Sequence, residues 1–436
     1  MPTHAHAERP MFWLYLLVAA LVLVALIITI MWVGPLPART VVMSTGGPGS
    51  DYDELAQRYR AILRRSGIDL KLRPSAGSVE NLARLDDPRS GVEVAFVQGG
   101  LTSETRSPAL ESLGTMFYQP LWFFTRLPPA PRPDALLGKK IAIGPEGSGT
   151  RALSLRLLSL NGIAPGRVEL LPLDMDQAGG ALLRGEADAA TMAASWDSPM
   201  VRKLLASPEV NTLSFPRADA YVALYPYLSK LLVPMGVGDL ATNRPPNDVI
   251  LIAPKASLIV RRDLHPALKN LLLEAATEVH SSPGIFARAG QFPAPEPGDL
   301  PLSRDAQQFY RSGPPFLQRY LPFWLATFAA RLLVLLIPVM GIAYPLLRFA
   351  PATYGWSMRR RVYRLYGELK FIEAELTNDT ASADVIARLH RLEERADRLQ
   401  VPAAFANLLY QLRTHIELVR LRATQPGLES PRASSG

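Results

Sequence analysis

Two glycine-rich segments concentrate the groups that could do chemistry in this sequence. Residues 42–52 read VMSTGGPGSDY and residues 141–151 read IAIGPEGSGTR, each an apolar run, a glycine turn and a helix start. Unpaired N–H groups at a helix N-terminus suit an anion, so each segment is a candidate ligand contact, although each could be only a tight strand-to-helix turn. Other chemistries fit less well. Gly144 to Gly149 has phosphate-loop spacing, but Thr150 stands where the lysine belongs. Ser148 is not in a G-x-S-x-G elbow, because Glu146 occupies the first glycine position. The six histidines, at 4, 6, 265, 280, 390 and 415, lack metal-ligand spacing. The absence of cysteine excludes disulfides, thiolate sites and a Cys nucleophile. Asp51, Asp53 and Glu54 read as first-turn acids favoured by the helix dipole rather than as a catalytic cluster. These residues imply a binding protein rather than an enzyme, with no metal and no cofactor.

The elements that position the loops read as α/β. Thr40 to Ser44, Asp69 to Arg73, Val92 to Val97 and Pro120 to Arg126 are strands. Helices are expected over Asp51 to Arg65, with Leu55, Tyr59 and Ile62 on one face, and from Ser78 with Val79, Leu82 and Leu85. The pattern then restarts. Lys140 to Ile143, Val168 to Leu171 and Asp188 to Met192 are strands between helices at Thr150 to Leu160 and Ala178 to Arg184. Val249 to Val260 is a further strand and His265 to His280 a helix. Such alternation argues for parallel sheets with crossover helices. The repeat predicts two lobes, with the ligand beyond the carboxyl ends of the strands. Lobe one takes about 38–120 and 255–318, and lobe two about 121–254. Two apolar runs, Phe117 to Arg126 and Val249 to Val260, are the expected crossings.

Outside this region, hydrophobic residues make up 48% of 436, which excludes wholesale disorder and points to membrane segments. Residues 11–33 carry no charge and span roughly 34 Å as a helix, which reads as an uncleaved anchor rather than a signal peptide. Residues 321–349 read as an interfacial stretch followed by a span from about Leu332 to Phe349, because Arg331 is costly at mid-bilayer. The net charge of +8 concentrates in arginines after that span, at 348, 359, 360, 361 and 364. The positive-inside rule then places 1–10 and the tail in the cytoplasm and 36–320 outside, in the periplasm of a bacterium with two membranes. This charge pattern fits topology rather than nucleic acid. Residues 350–423 read as a cytoplasmic helical bundle and 424–436 as a disordered tail.

The sequence also resembles the TAXI branch of TRAP-transporter solute receptors. The resemblance rests on Ser44-Thr-Gly-Gly47, Gly77-Ser-Val-Glu-Asn-Leu82, Phe96-Val-Gln98, Gly138 to Gly144 followed by Gly147-Ser-Gly-Thr150, and Gly185-Glu-Ala-Asp-Ala189, in that order over about residues 40–290. It implies a type II periplasmic-binding-protein fold closing on a small solute that carries a carboxylate, an organic acid or an amino acid. It implies ligand contacts at Ser44, Gly46, Gly47, Tyr52, Ser78, Asn81 and Gln98 in lobe one, and at Ser148, Gly149 and Thr150 in lobe two. The partner it implies is a TRAP permease. A sensor signalling through the cytoplasmic helices to another partner is the alternative, and an enzyme on the same scaffold a third. Asp51 ahead of Tyr52 departs from the family pattern and favours an amino group on the ligand.

Overall fold

The computed structural model describes residues 37–127, 133–378, 383–399, 401 and 403–424, with isolated positions between 16 and 27. One compact unit spans Pro35–Phe328, and Ala329–Gly436 belongs to a second.

The first unit is two α/β lobes. Lobe one begins with β1 (Thr40–Ser44), α1 (Asp51–Arg65), β2 (Asp69–Arg73), α2 (Ser78–Asp86), β3 (Val94–Gln98) and β4 (Leu110–Tyr118). Lobe two holds β5 (Leu121–Thr125), β6 (Lys140–Ala142), α3 (Gly149–Leu160), β7 (Glu169–Leu171), α4 (Met175–Arg184) and β8 (Ala189–Ala193). It continues with α5 (Pro199–Ala206), β9 (Asn211–Thr212), α6 (Ala218–Leu224) and β10 (Leu228–Val233). Then β11 (Val249–Arg261) returns the chain to lobe one, where α7 (Pro266–His280), α8 (Arg304–Ser312) and α9 (Phe316–Tyr320) follow.

The strands run β2-β1-β3-β11-β5-β8-β6-β7, with β4 and β10 also on β11. In lobe one β1 lies parallel between β2 and β3, and in lobe two β6 lies parallel between β7 and β8. The long strand β11 serves both lobes. Its Val249–Pro254 half pairs with β10, and its Ala256–Val260 half pairs with β3 and β4. The outward crossing is Gln119-Pro120 between β4 and β5. The Gln119 N–H donates to the Pro254 carbonyl at 3.0 Å, so the two crossings are bonded to each other.

Side-chain periodicity explains the packing. On α1 the buried stripe is Tyr52, Ala56, Tyr59 and Leu63, with Leu55 and Ile62 at its edges. It packs on Val41, Met43 and Phe96 of the sheet and on Leu268 and Leu272 of α7. In lobe two the run Leu121-Trp-Phe-Phe124 is apolar throughout because both sheet faces are covered. Trp122 and Phe124 enter one core with Met192 and Leu251, and Leu121 and Phe123 enter the other with Ile141 and Leu157. Burying each such side chain contributes about 1.5–3 kcal/mol.

The C-terminal region departs from expectation. A single helix, α10 (Phe323–Asn378), runs unbroken through Pro338, Pro345 and Pro351, where an interfacial stretch, a span and a separate bundle helix were expected. Each proline costs about 3 kcal/mol in a helix interior. The surrounding leucines, alanines and arginines favour helix, and the C-terminal part is held by packing. There Val362, Leu365 and Leu369 share a core with Leu392 of α11 (Ala383–Arg398) and Leu412 and Ile416 of α12 (Ala406–Thr424). Among the described residues no helix is long and apolar enough to cross a membrane. Within α10, Arg331, Arg348 and three prolines interrupt the apolar run. The expected segment 11–33 falls almost wholly outside the described residues, as do 1–10 and 425–436 of the tail.

Candidate ligand cleft between the lobes

The carboxyl ends of β1 and β3 meet those of β6 and β8 across a cavity of about 350 Å³. In each lobe the central strand has neighbours wound in opposite directions, and the cavity lies at that switch point. Four helices begin at its walls, α1, α2, α3 and α4. Ser50 caps α1 by accepting from the Asp53 N–H at 3.4 Å, and Ser148 caps α3 by accepting from the Arg151 N–H at 3.2 Å. Asp174 and Gln177 form a reciprocal capping box on α4.

A hydrogen-bonded relay forms the floor. The Gln98 N–H donates to Ser78 Oγ at 3.0 Å. Ser78 and the Tyr52 hydroxyl are 3.0 Å apart, and Tyr52 donates to Gln119 Oε1 at 3.1 Å. Gln119 Nε2 then donates to the Ala193 carbonyl of lobe two at 3.1 Å. Burial pushes the Tyr52 phenol well above its usual range, so it stays protonated and a donor. Gln98 is 2% exposed. Its Nε2 donates to the Gly149 carbonyl at 3.4 Å, and its Oε1 has no hydrogen-bond partner.

The lobes also touch directly. The Gly147 carbonyl accepts from the Val79 and Glu80 N–H groups, both at 3.1 Å. A lobe-two carbonyl therefore occupies the first turn of α2, which the sequence reading assigned to ligand. On the other side, Asp51 of α1 accepts from the Ser195 N–H at 2.6 Å and the Ser195 hydroxyl at 3.1 Å. Burial raises the Asp51 carboxyl to about 6; the Ser195 bonds oppose that shift, and the neighbouring acids Glu54 and Asp197 add to it.

Of the ten residues named from sequence, Gly46, Gly47, Tyr52, Ser78, Gln98, Ser148, Gly149 and Thr150 line this cavity. Ser44 and Asn81 do not. Both are fully buried. Ser44 Oγ accepts from Arg84 Nη1 at 3.1 Å. Asn81 Nδ2 donates to the Thr45 and Phe96 carbonyls at 2.7 and 3.0 Å, and its Oδ1 accepts from Ser75 at 2.7 Å. Its amide ties α2 to the ends of β1 and β3, which makes it a brace for the wall. Two residues escaped the sequence reading: Gln119 at the crossing, and Ser195. Asp51 was read both as a first-turn acid and as an acid that favours an amino group on the ligand. Ser195 follows β8 with no motif around it.

The model of the NMT1-like family matches residues 133–312, under half of the chain. No curated protein gives a significant sequence match. Several solved structures match at low identity. The periplasmic aliphatic sulphonate-binding protein SsuA of Escherichia coli is 15% identical with a TM-score of 0.36, over 92% of this chain and 96% of that one. The alkanesulfonate-binding protein SsuA of Xanthomonas axonopodis pv. citri, bound to MOPS, is 14% identical with a TM-score of 0.33, over 56% of this chain and 74% of that one. A periplasmic arginine-binding protein of Salmonella typhimurium is 12% identical with a TM-score of 0.35, over 56% of this chain and 95% of that one. The architecture is two α/β lobes joined by paired crossing strands.

Proposed function

We propose that the two-lobed unit is an extracytoplasmic receptor that closes on a small polar solute. The cleft carries this reading: equivalent glycine turns from two lobes enclose about 350 Å³, and β4–β5 and β11 are the strands that cross between them. That volume suits a metabolite. The first-turn N–H groups of Gly149 and Thr150 have no intrahelical partner and suit a solute carboxylate. Of the two solute classes implied by the sequence, an amino acid agrees better with Asp51 in the lining than an organic acid does.

Delivery to a TRAP-type permease rests on the ordered TAXI-like motifs, while the family model that matches is NMT1-like. Attachment to the bacterial inner membrane rests on the apolar sequence of 11–33.

A thermal-shift screen of the full-length chain against organic acids, amino acids and sulfonates tests the receptor reading. At least one class should raise Tm by mass action. No stabilisation across the panel would reject the reading. Membrane fractionation, with reporter fusions at Gly34 and Ser434, checks the location.

A further inference from the structure

We propose that the cleft selects its solute by a protonated amine or amidinium group, held by the Asp51 carboxylate and the free amide oxygen of Gln98. This inference rests on the receptor reading and names the chemistry of the same site.

Two independent observations carry it. The first is charge. Asp51, Asp174 and Asp176 line the cavity, and among its described lining residues there is no arginine, lysine or histidine. Asp51, at the start of α1, is half-buried, whereas Asp174 and Asp176 are exposed. It accepts two hydrogen bonds from Ser195, and each carboxylate oxygen can accept another. The charges acting on it, Glu54 and Asp197, are both acidic, so the protein leaves it without a counter-charge. A second carboxylate on the solute would meet three acids.

The second is Gln98. Its amide is oriented by its own donation to the Gly149 carbonyl, and its Oε1, although buried, accepts from no group of the protein. Buried acceptors are normally paired. An N–H donor on the solute supplies the missing partner. A charged amine satisfies both acceptors, whereas a carboxylate satisfies neither.

Calorimetric titration of the full-length chain with putrescine, L-arginine and glutarate tests this. Putrescine or L-arginine should bind and glutarate should not. Asp51→Asn, which keeps the shape and the bond from the Ser195 N–H, should weaken amine binding at least tenfold, and Gln98→Leu should weaken it severalfold. Circular dichroism checks that each variant is folded. If either fails to fold, the wild type still answers: amine affinity should drop roughly tenfold between about pH 7 and about pH 5 as Asp51 takes up a proton. Glutarate binding without amine binding would overturn this inference and leave the receptor reading standing. Amine binding indifferent to both Asp51→Asn and pH would remove Asp51 from the site. No binding of putrescine or L-arginine would overturn this inference, and the receptor reading falls with it only if the thermal-shift panel is silent as well.

Discussion

Ser195 of lobe two donates its backbone N–H and its hydroxyl to the Asp51 carboxylate of lobe one, at 2.6 and 3.1 Å. These bonds exist only when the lobes are together, so the pair acts as a latch. Hydrogen bonds to a charged group contribute about 1.5–3 kcal/mol. Asp51→Ala should therefore shift the unliganded chain toward open lobes. A larger radius of gyration in small-angle scattering is the expected result, and an unchanged scattering profile would count against the latch.

The same carboxyl gives a pH signature whose sign is set by its elevated value of about 6 against the ordinary 3.8. Between those values the folded protein holds a proton that the unfolded chain has lost. The Asp51 contribution is therefore fully present below pH 3.8 and lost as pH rises through 6. Its upper size is about 3 kcal/mol. His280 works the other way. Burial, with some help from Arg58, lowers it from 6.5 to about 3. It lies among the rings of Tyr59, Phe96 and Phe117. Its contribution is present above pH 6.5 and is lost as pH falls toward 3. Over pH 4–6 the two oppose each other. His280→Gln should make Tm rise on acidification relative to wild type, and Asp51→Asn should make it fall. Parallel pH profiles for all three proteins would refute both assignments.

Many strands and helices were legible in the sequence because they obey simple periods. Leu121 to Phe124 is uniformly apolar, and the segment opening at Gly149 is an apolar helix behind a glycine turn, so both follow from pattern alone. The strand Leu228–Val233 was not legible, since LSKLLV with a lysine at its centre reads as neither alternating nor uniformly apolar. Nor was the continuity of α10, because proline is a local stop signal that distant packing can override. The cavity lining was largely visible through its glycines and serines. The roles of polar side chains were not, because a role depends on the partner. Asn81 looked like a ligand contact and is a brace, while Asp51 looked like a helix-end acid and reaches a serine 144 residues away.

Gln119 links the relay to the crossing strands. Its side chain accepts from Tyr52 and donates to the Ala193 carbonyl, while its backbone N–H holds Pro254. Gln119→Ala keeps the backbone bond and loses both side-chain bonds, leaving the buried Tyr52 hydroxyl without its acceptor. The cost should be about 1–3 kcal/mol, read as a fall of about 2–4 °C in Tm per kcal/mol. A Tm within a degree of wild type would show that water replaces Gln119.

Gly149 opens α3 on the seam between the two lobes. A Cβ there would lie 2.6 Å from Gln98 Oε1 and 3.2 Å from Ser78 Cβ, both across the seam in lobe one. The requirement for glycine is thus close approach. A branched side chain would leave lobe two intact, since the atoms it strikes belong to lobe one, but would wedge the lobes apart. It would also push on the amide that orients the free Gln98 oxygen. Gly149→Val should keep the circular dichroism spectrum of wild type, enlarge the scattering radius and lower affinity for whichever solute the thermal-shift screen finds by at least tenfold. Gly47→Ala is the matched control, because a Cβ at Gly47 meets nothing within 4 Å and should leave lobe closure unchanged. If Gly149→Val bound its solute as tightly as wild type while folded, the seam would not be part of the binding site, and the glycine turns would be structural alone.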